Sequence, residues 1–279
     1  MNIATFFAAA LSLGLQQAPA PDACQQAMNS TNPETAETLL LRCARESGEE
    51  GWKSLAYINL GSLAFQQGRN QDAVDYYDQA ELQGKSLYSD PYYHAFYSNA
   101  LAMVGRTEDG GRQAERALEG LDNAPDDKNY DARIVFENII EPLHQAGRSE
   151  TLNRVLADYL AFDTKSWIDV VNRASILTTV EKFDQALPLA RQGVELQPDH
   201  PATQNTLCYV LATLDRAGEA MTHCERAAEL APEVGAVAHS FAFALAKNGQ
   251  CEEAQRQLER AKALSPGEPL YEEELECVG

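Results

Sequence analysis

The residues with the clearest chemistry in this 279-residue chain are its six cysteines, which can form covalent cross-links. They fall into three local pairs, and the midpoint of each pair lies at or beside a turn signal, such as Asn32-Pro33 or Ser265-Pro266. A disulfide that joins two antiparallel helices across a turn has this spacing. The predicted disulfides are Cys24–Cys43, Cys208–Cys224 and Cys251–Cys277. They imply an oxidising compartment, and the alternative is six reduced thiols buried in the core.

The first twenty residues predict how the chain reaches such a compartment. Residues 4–15 form an apolar run, and Ala18-Pro19-Ala20 has the small-x-small pattern that ends a secretory signal peptide. An uncleaved membrane anchor is the alternative, but the run is shorter than the roughly 20 residues that cross a bilayer. A lipoprotein would use Cys24, which lacks the preceding aliphatic residue, and lipidation would leave Cys43 unpaired. We expect residues 1–20 to be a signal peptide and the protein to be secreted or periplasmic.

The charge and the missing motifs exclude several functions. Lys and Arg number 22 against 42 Asp and Glu, which gives a formal net charge of −20. This charge repels nucleic acid and anionic membranes, so neither is an expected partner. No GxSxG, HExxH, CxxC, P-loop or GxGxxG motif occurs, and the five histidines are scattered. We therefore predict no catalytic, cofactor or metal site, and no enzyme.

A proline recurs every 34 residues in the C-terminal half, at Pro198, Pro232 and Pro266. Proline cannot continue a helix, so each is expected to close one structural unit. The units 167–200, 201–234 and 235–268 share small residues at three positions. These residues are Ala174, Cys208 and Ala242, then Ala186, Ala220 and Ala254, then Gly193, Ala227 and Ala261. Small side chains let two antiparallel helices approach closely, so each unit is predicted to be a helical hairpin.

This unit resembles the tetratricopeptide repeat, a 34-residue helix-turn-helix motif. The stretch SLAYINLGSLAFQQGRNQDAVDYYDQA, residues 54–80, carries the family pattern most fully. The matching residues are Tyr57, Asn59, Leu60, Gly61, Gly68, Ala73, Tyr77 and Ala80. Residues 91–124 and 133–166 resemble the repeat less closely. The second of these has large residues at the three small positions, which predicts separated helices or a shifted register; they are Ile140, Leu152 and Tyr159.

The resemblance implies an all-α fold, a right-handed α-solenoid of six hairpins with N- and C-terminal capping helices. The expected hairpin turns are at positions 68, 105, 147, 181, 215 and 249. The expected segments are a disulfide-linked capping hairpin at 22–50, repeats at 54–124 and 133–268, and a capping helix at 269–279. The polar, proline-containing segment 120–132 is the predicted joint between the two sets of repeats.

In this family the first helix of each unit lines a concave groove that binds peptides or partner helices. Matching repeat positions put Phe65, Tyr92 and Asn99 in that groove, near the aromatic cluster YYHAFY; the C-terminal units have smaller, alanine-rich faces. Such aromatics are either binding anchors or core residues. Asn59, Asn138 and Asn172 share one repeat position and predict an amide ladder that binds a peptide backbone. The alternative is that Asn is only the common family residue there.

We therefore expect a non-catalytic scaffold that binds a protein or peptide in its groove. The alternative is a regulatory or accessory subunit of an envelope enzyme or assembly complex. That alternative requires a small-ligand pocket with convergent polar groups. Some family members capture a C-terminal carboxylate through Lys and Arg, but Ile58 and Glu137 stand at such positions here, so we do not expect this mode.

Overall fold

The computed structural model describes residues 21–83, 90–124, 130–164, 166–272 and 274–277, so the predicted signal peptide lies outside the described residues. The described residues form fifteen helices and no strand. They divide into two compact units, of which the first ends at Ala161 and the second begins at Phe162. The predicted all-α fold of tetratricopeptide-like helical hairpins is confirmed.

The first unit consists of eight helices that pack as successive hairpins. They are α1 (Asp22–Met28), α2 (Pro33–Glu46), α3 (Glu50–Gln66), α4 (Asn70–Leu82), α5 (Pro91–Met103), α6 (Thr107–Asp122), α7 (Ala132–Gln145) and α8 (Ser149–Ala161). Within this unit α5 also packs against α7, the first helix of the next hairpin.

The second unit continues the same arrangement with three hairpins and a short last helix. Its helices are α9 (Trp167–Thr179), α10 (Phe183–Leu196), α11 (Pro201–Thr213), α12 (Ala217–Leu230), α13 (Gly235–Lys247), α14 (Cys251–Leu264) and α15 (Pro269–Glu272). The first helices α9, α11 and α13 pack in sequence, as α5 and α7 do in the first unit.

The hairpin turns lie at the six positions that the repeat spacing predicts. The backbone φ is positive at each of them; they are Gly68, Gly105, Gly147, Glu181, Asp215 and Gly249. The next residue then donates its N–H to a carbonyl five residues earlier, as in Arg69 N to Ala64 O and Arg216 N to Leu211 O, both 2.9 Å. A left-handed residue followed by this bond is the Schellman motif, which ends the first helix of each hairpin.

The small residues of the repeat lie where the two helices of a hairpin meet. All nine in the three C-terminal units are buried. Gly61 lies at a close contact between the two helices of its hairpin, because a Cβ there would lie 2.6 Å from Tyr77 Cε1. In the hairpin of α7 and α8 the three large residues are also buried, and the two helices pair with fewer close backbone approaches than in the other repeat hairpins, as large residues there predict; these residues are Ile140, Leu152 and Tyr159.

The structure joins all three predicted cysteine pairs, with Cα–Cα distances of 4.9, 5.0 and 5.6 Å. The first two disulfides each link the helices of one hairpin. The third links Cys251, the first residue of α14, to Cys277 in a segment without regular structure. Helix α15 covers only four of the residues predicted for the C-terminal capping helix. The acidic run after Tyr271 opposes a longer helix, because negative charge is unfavourable at a helix C-terminus.

Candidate partner-binding groove

The candidate groove is the face that α3, α5 and α7 present on one side of the first unit. Residues four, seven and eleven positions apart lie within about 40° of one another around a helix. This groove face is defined by Ile58 and Phe65 on α3, by Tyr92, Asn99 and Met103 on α5, and by Ile134, Asn138 and Glu141 on α7. Except for Met103, which is 56% exposed, these side chains are partly buried.

Two polar contacts connect α5 to α7 along the groove face. The backbone N–H of Asp131 donates to Tyr92 Oη at 2.6 Å, and Asn99 Nδ2 donates to Asn138 Oδ1 at 3.1 Å. Both contacts join residues 39 positions apart, which shows that the two helices run parallel in one register. The same register brings the exposed Met103 beside the turn of α7 that contains Glu141.

The two predicted aromatic anchors are half-buried. Phe65 and Tyr92 pack against the buried cluster of the first unit, and the Tyr92 ring meets the edge of Tyr130 at 5.1 Å. Burial raises the pKa of Tyr92, the hydrogen bond from the Asp131 N–H opposes this rise, and the carboxylates of Asp131 and Asp90 add to it. The other aromatic residues of the YYHAFY stretch lie in the core; they are Tyr93, Phe96 and Tyr97. Tyr92 and Phe65 are therefore only partly accessible at the groove face.

The asparagines of the predicted amide ladder differ in their local contacts. Asn59 Nδ2 donates to Leu55 O, and Asn138 Nδ2 donates to Ile134 O, each at 2.8 Å and each within its own helix. Asn172 is exposed on α9, in the second unit. The amide pair that does form is Asn99 with Asn138, between the ninth position of one unit and the sixth of the next.

Two further features of the first helices are visible only in the structure. One is Met103, the last residue of α5. The other is an aromatic pair in the second unit, Tyr209 on α11 and Phe243 on α13, whose ring centroids are 5.6 Å apart. The Lys247 ammonium lies 5.8 Å from the Phe243 ring centre. Both aromatic residues occupy the ninth position of their units, and this shared position was the signal that could have identified them.

Arginine side chains of the first unit lie at the turn ends of the hairpins. Arg69, Arg106 and Arg148 each follow a turn glycine and pair with an acidic residue of the preceding hairpin, at 2.9, 3.0 and 2.6 Å. Such partly exposed pairs contribute little stability individually. On α7, by contrast, the groove face includes Glu141, whereas the Glu137 carboxylate accepts a hydrogen bond from Tyr159 Oη of α8 at 3.1 Å.

Other kinds of site are limited in the described residues. A recess beside the Cys24–Cys43 disulfide, also lined by Trp52 and Asn59, has room for roughly one water molecule. The Trp52 Nε1–H is buried there without a hydrogen-bond partner. The described part of the chain has no cluster of three metal-ligating side chains. None of its helices has the length and apolar character that crossing a membrane requires.

Successive helical hairpins define the class of protein, an all-α fold of helix-turn-helix units. The tetratricopeptide repeat family model matches residues 27–93 and 58–128. Residues 27–128 therefore contain tetratricopeptide repeats. Comparison with curated proteins finds no match.

Solved structures of other repeat proteins resemble this one. A tetratricopeptide repeat protein from Parabacteroides merdae has a TM-score of 0.66 and 12% identity, over 94% of this chain and 96% of its own. YrrB, described as having an unusual peptide-binding site, has a TM-score of 0.35 and 16% identity, over 83% of this chain and 95% of its own. MamA (MSR-1) has a TM-score of 0.40 and 21% identity, over 62% and 95%. The likeness to the first protein shows a shared fold.

Proposed function

We propose that the protein is a non-catalytic protein–protein interaction scaffold, and that its first unit binds a segment of a partner in the groove. The tetratricopeptide repeats support the general role. The observation that best supports the groove as the binding site is the exposed Met103, which lies on the same face as Tyr92 and the Asn99–Asn138 amide pair. An accessible apolar side chain beside polar groups of fixed position is typical of a recognition surface.

The groove face offers two kinds of contact to a partner. Apolar side chains of the partner pack against Met103, Ile134 and the edge of Tyr92, where the helices already bury most of the surrounding surface. Asn99 gives one amide hydrogen to Asn138, so its second hydrogen and its oxygen serve a peptide backbone. Because the Asn99 amide is held by Asn138, little side-chain entropy is lost on binding.

We further propose that the scaffold works in a periplasm or outside the cell. Three disulfides support an oxidising compartment, because cytosolic reductants keep most thiols reduced. The apolar run at residues 4–15 supports export through a signal peptide.

Two charge substitutions at matched positions test the groove. Met103 and Leu82 are exposed apolar residues at the last position of α5 and α4, 56% and 75% exposed respectively. The oxidised chain, carrying Met103→Glu or Leu82→Glu, is used to capture partners from an envelope fraction. We expect Met103→Glu to abolish capture of the partner retained by the unchanged chain, because a buried charge is costly in an interface. If Leu82→Glu loses the partner and Met103→Glu keeps it, the binding surface includes α4, the second helix of its hairpin, and the groove is excluded.

A further inference from the structure

The three disulfides differ in their access to solvent. The four cysteines of the first two are at most 3% exposed, whereas Cys251 is exposed and Cys277 is half-buried. Thiol–disulfide exchange requires a thiolate to reach one sulfur of the bond, so access decides which disulfide reacts. The Cys251–Cys277 bond is therefore the reactive one of the three.

This disulfide holds the C-terminal strap, which we define as α15 together with residues 274–277. Tyr271 of the strap packs against the buried residues of α13 and α14, and its ring stacks on His239 at 4.9 Å. Leu275 packs against the same two helices. Residues 274–277 form no regular structure, so the strap is held over the end of the last hairpin by the disulfide, by these two side chains and by the ion pair of Glu272 with Lys262 at 3.6 Å.

Acidic side chains flank both cysteines of the bond. Glu252 and Glu253 follow Cys251, and Glu274 and Glu276 precede Cys277. Of these, Glu253 pairs with Arg256. The other three are exposed, and they create a negative potential around the sulfur atoms. An anionic thiol is repelled by this potential, and a thiol on a positively charged molecule or surface is attracted.

We propose that Cys251–Cys277 is a thiol-exchange latch, opened by a dithiol with positively charged surroundings, and that opening releases the C-terminal strap. The attacking thiolate forms a bond to Cys251 Sγ while the Cys251–Cys277 bond breaks, and Cys277 leaves as a thiolate that takes a proton from water. The second thiol of the reductant then attacks the reductant's sulfur atom in the mixed disulfide, and Cys251 leaves as a thiolate. The protein disulfide gains two electrons, and the dithiol becomes a disulfide.

The first test compares the three disulfides within one molecule. The native chain is treated with limiting dithiothreitol, quenched with acid and alkylated, and the labelled cysteines are identified by peptide mass spectrometry. We expect Cys251 and Cys277 to be labelled at least about tenfold faster than the four buried cysteines, because only they are accessible. Equal or faster labelling of Cys24 and Cys43, or of Cys208 and Cys224, would overturn the latch.

The second test varies the charge of the attacking thiol. Cysteamine, 2-mercaptoethanol and 3-mercaptopropionate are cationic, neutral and anionic, and each rate is divided by the same thiol's rate with a small neutral disulfide. We expect the normalised rates to fall in that order and to converge at high salt. Glu252→Gln with Glu276→Gln should narrow the differences, and Glu195→Gln with Glu225→Gln, exposed elsewhere in the second unit, should not. The same rates for all three thiols would exclude charge selection.

Release of the strap is measured by hydrogen exchange in the oxidised chain and in the Cys251→Ser, Cys277→Ser variant. We expect exchange to increase across residues 269–277 and to stay unchanged in the hairpin that Cys208–Cys224 closes. A strap that keeps its protection without the disulfide would show that opening the bond releases nothing, which contradicts the latch.

Discussion

Single residues decide how closely the helices of each hairpin approach, and Gly61 shows this most directly. Its Cα faces the Tyr77 ring, which is fully buried and whose hydroxyl lies 3.0 Å from Ser62 Oγ. Burial raises the pKa of Tyr77, so this hydroxyl stays protonated at any ordinary pH. Because the Tyr77 ring is buried and its hydroxyl is hydrogen-bonded, we expect the ring to make little room for a methyl group added at position 61.

We expect Gly61→Ala to destabilise the first unit by about 1–3 kcal/mol, because the new Cβ would lie 2.6 Å from Tyr77 Cε1. Urea denaturation followed by circular dichroism measures the change. Gly48→Ala is the control in the same unit, since nothing lies within 4 Å of its added Cβ. A stability equal to that of the control would show that Tyr77 repacks without cost.

His223 makes the stability of the second unit depend on pH. Its Nδ1 lies 2.7 Å from Gln204 Oε1, and burial is the main cause that lowers its pKa; nearby Arg191 lowers it further, and Glu219 opposes them. The unfolded chain therefore binds this proton first, so stability is full above a pH of about 6.5 and falls as the pH drops below it. His223→Gln should remove this part of the pH dependence in urea midpoints measured across that range. His144→Gln, in the first unit, is the control, and equal effects of the two variants would contradict the assignment.

Residue chemistry was predictable where the partners are close in sequence. The cysteine pairs were found because each closes a single hairpin or strap and its midpoint is marked by a turn signal. The Asn99–Asn138 pair was missed because it depends on how α5 and α7 are displaced along their axes. Repeat alignment places ninth positions opposite each other, whereas the structure pairs the ninth with the sixth.

At the scale of elements, the six hairpin turns share one backbone conformation although their sequences differ. Four use glycine, and the other two place Glu181 and Asp215 at φ values of 58° and 55°. Repeat spacing predicted these turns because the Schellman motif fixes where the first helix ends. The short C-terminal helix was not predictable from repeat spacing. Its length depends on the acidic residues that follow Tyr271, which disfavour a longer helix, and on the disulfide that holds Cys277 in a segment without regular structure.

We expect Glu181→Gly to stabilise the second unit by roughly 0.5–1 kcal/mol, because a non-glycine residue is strained in the left-handed region. Asp215→Gly also relieves strain but removes the ion pair with Lys247 at 3.1 Å, so its gain should be smaller. Thermal denaturation compares the two variants with Gly249→Ala, which introduces the same strain and should destabilise the unit. A loss of stability with Glu181→Gly would mean that its side chain contributes more than the strain costs.

At the scale of the whole molecule the chain divides into two compact units, each with its own buried residues; the first has one disulfide and the second has two. Units of this kind open as partly separate cooperative blocks. We expect Gly61→Ala to accelerate hydrogen exchange in residues 21–161 and to leave residues 166–277 largely unchanged. Uniform acceleration over both ranges would show that the chain opens as one block.

The two tryptophans of the chain are distributed one to each unit. Trp52 is buried in the recess beside the Cys24–Cys43 disulfide, which is a contact quencher of indole fluorescence, and its Nε1–H has no partner. Trp167 is half-buried, and its ring centre lies 4.2 Å from that of His200. Reducing the first disulfide should brighten Trp52 and leave the emission of Trp167 unchanged. The protein thus contains two intrinsic optical reporters, so substituting either tryptophan by phenylalanine lets the emission of one unit be recorded alone.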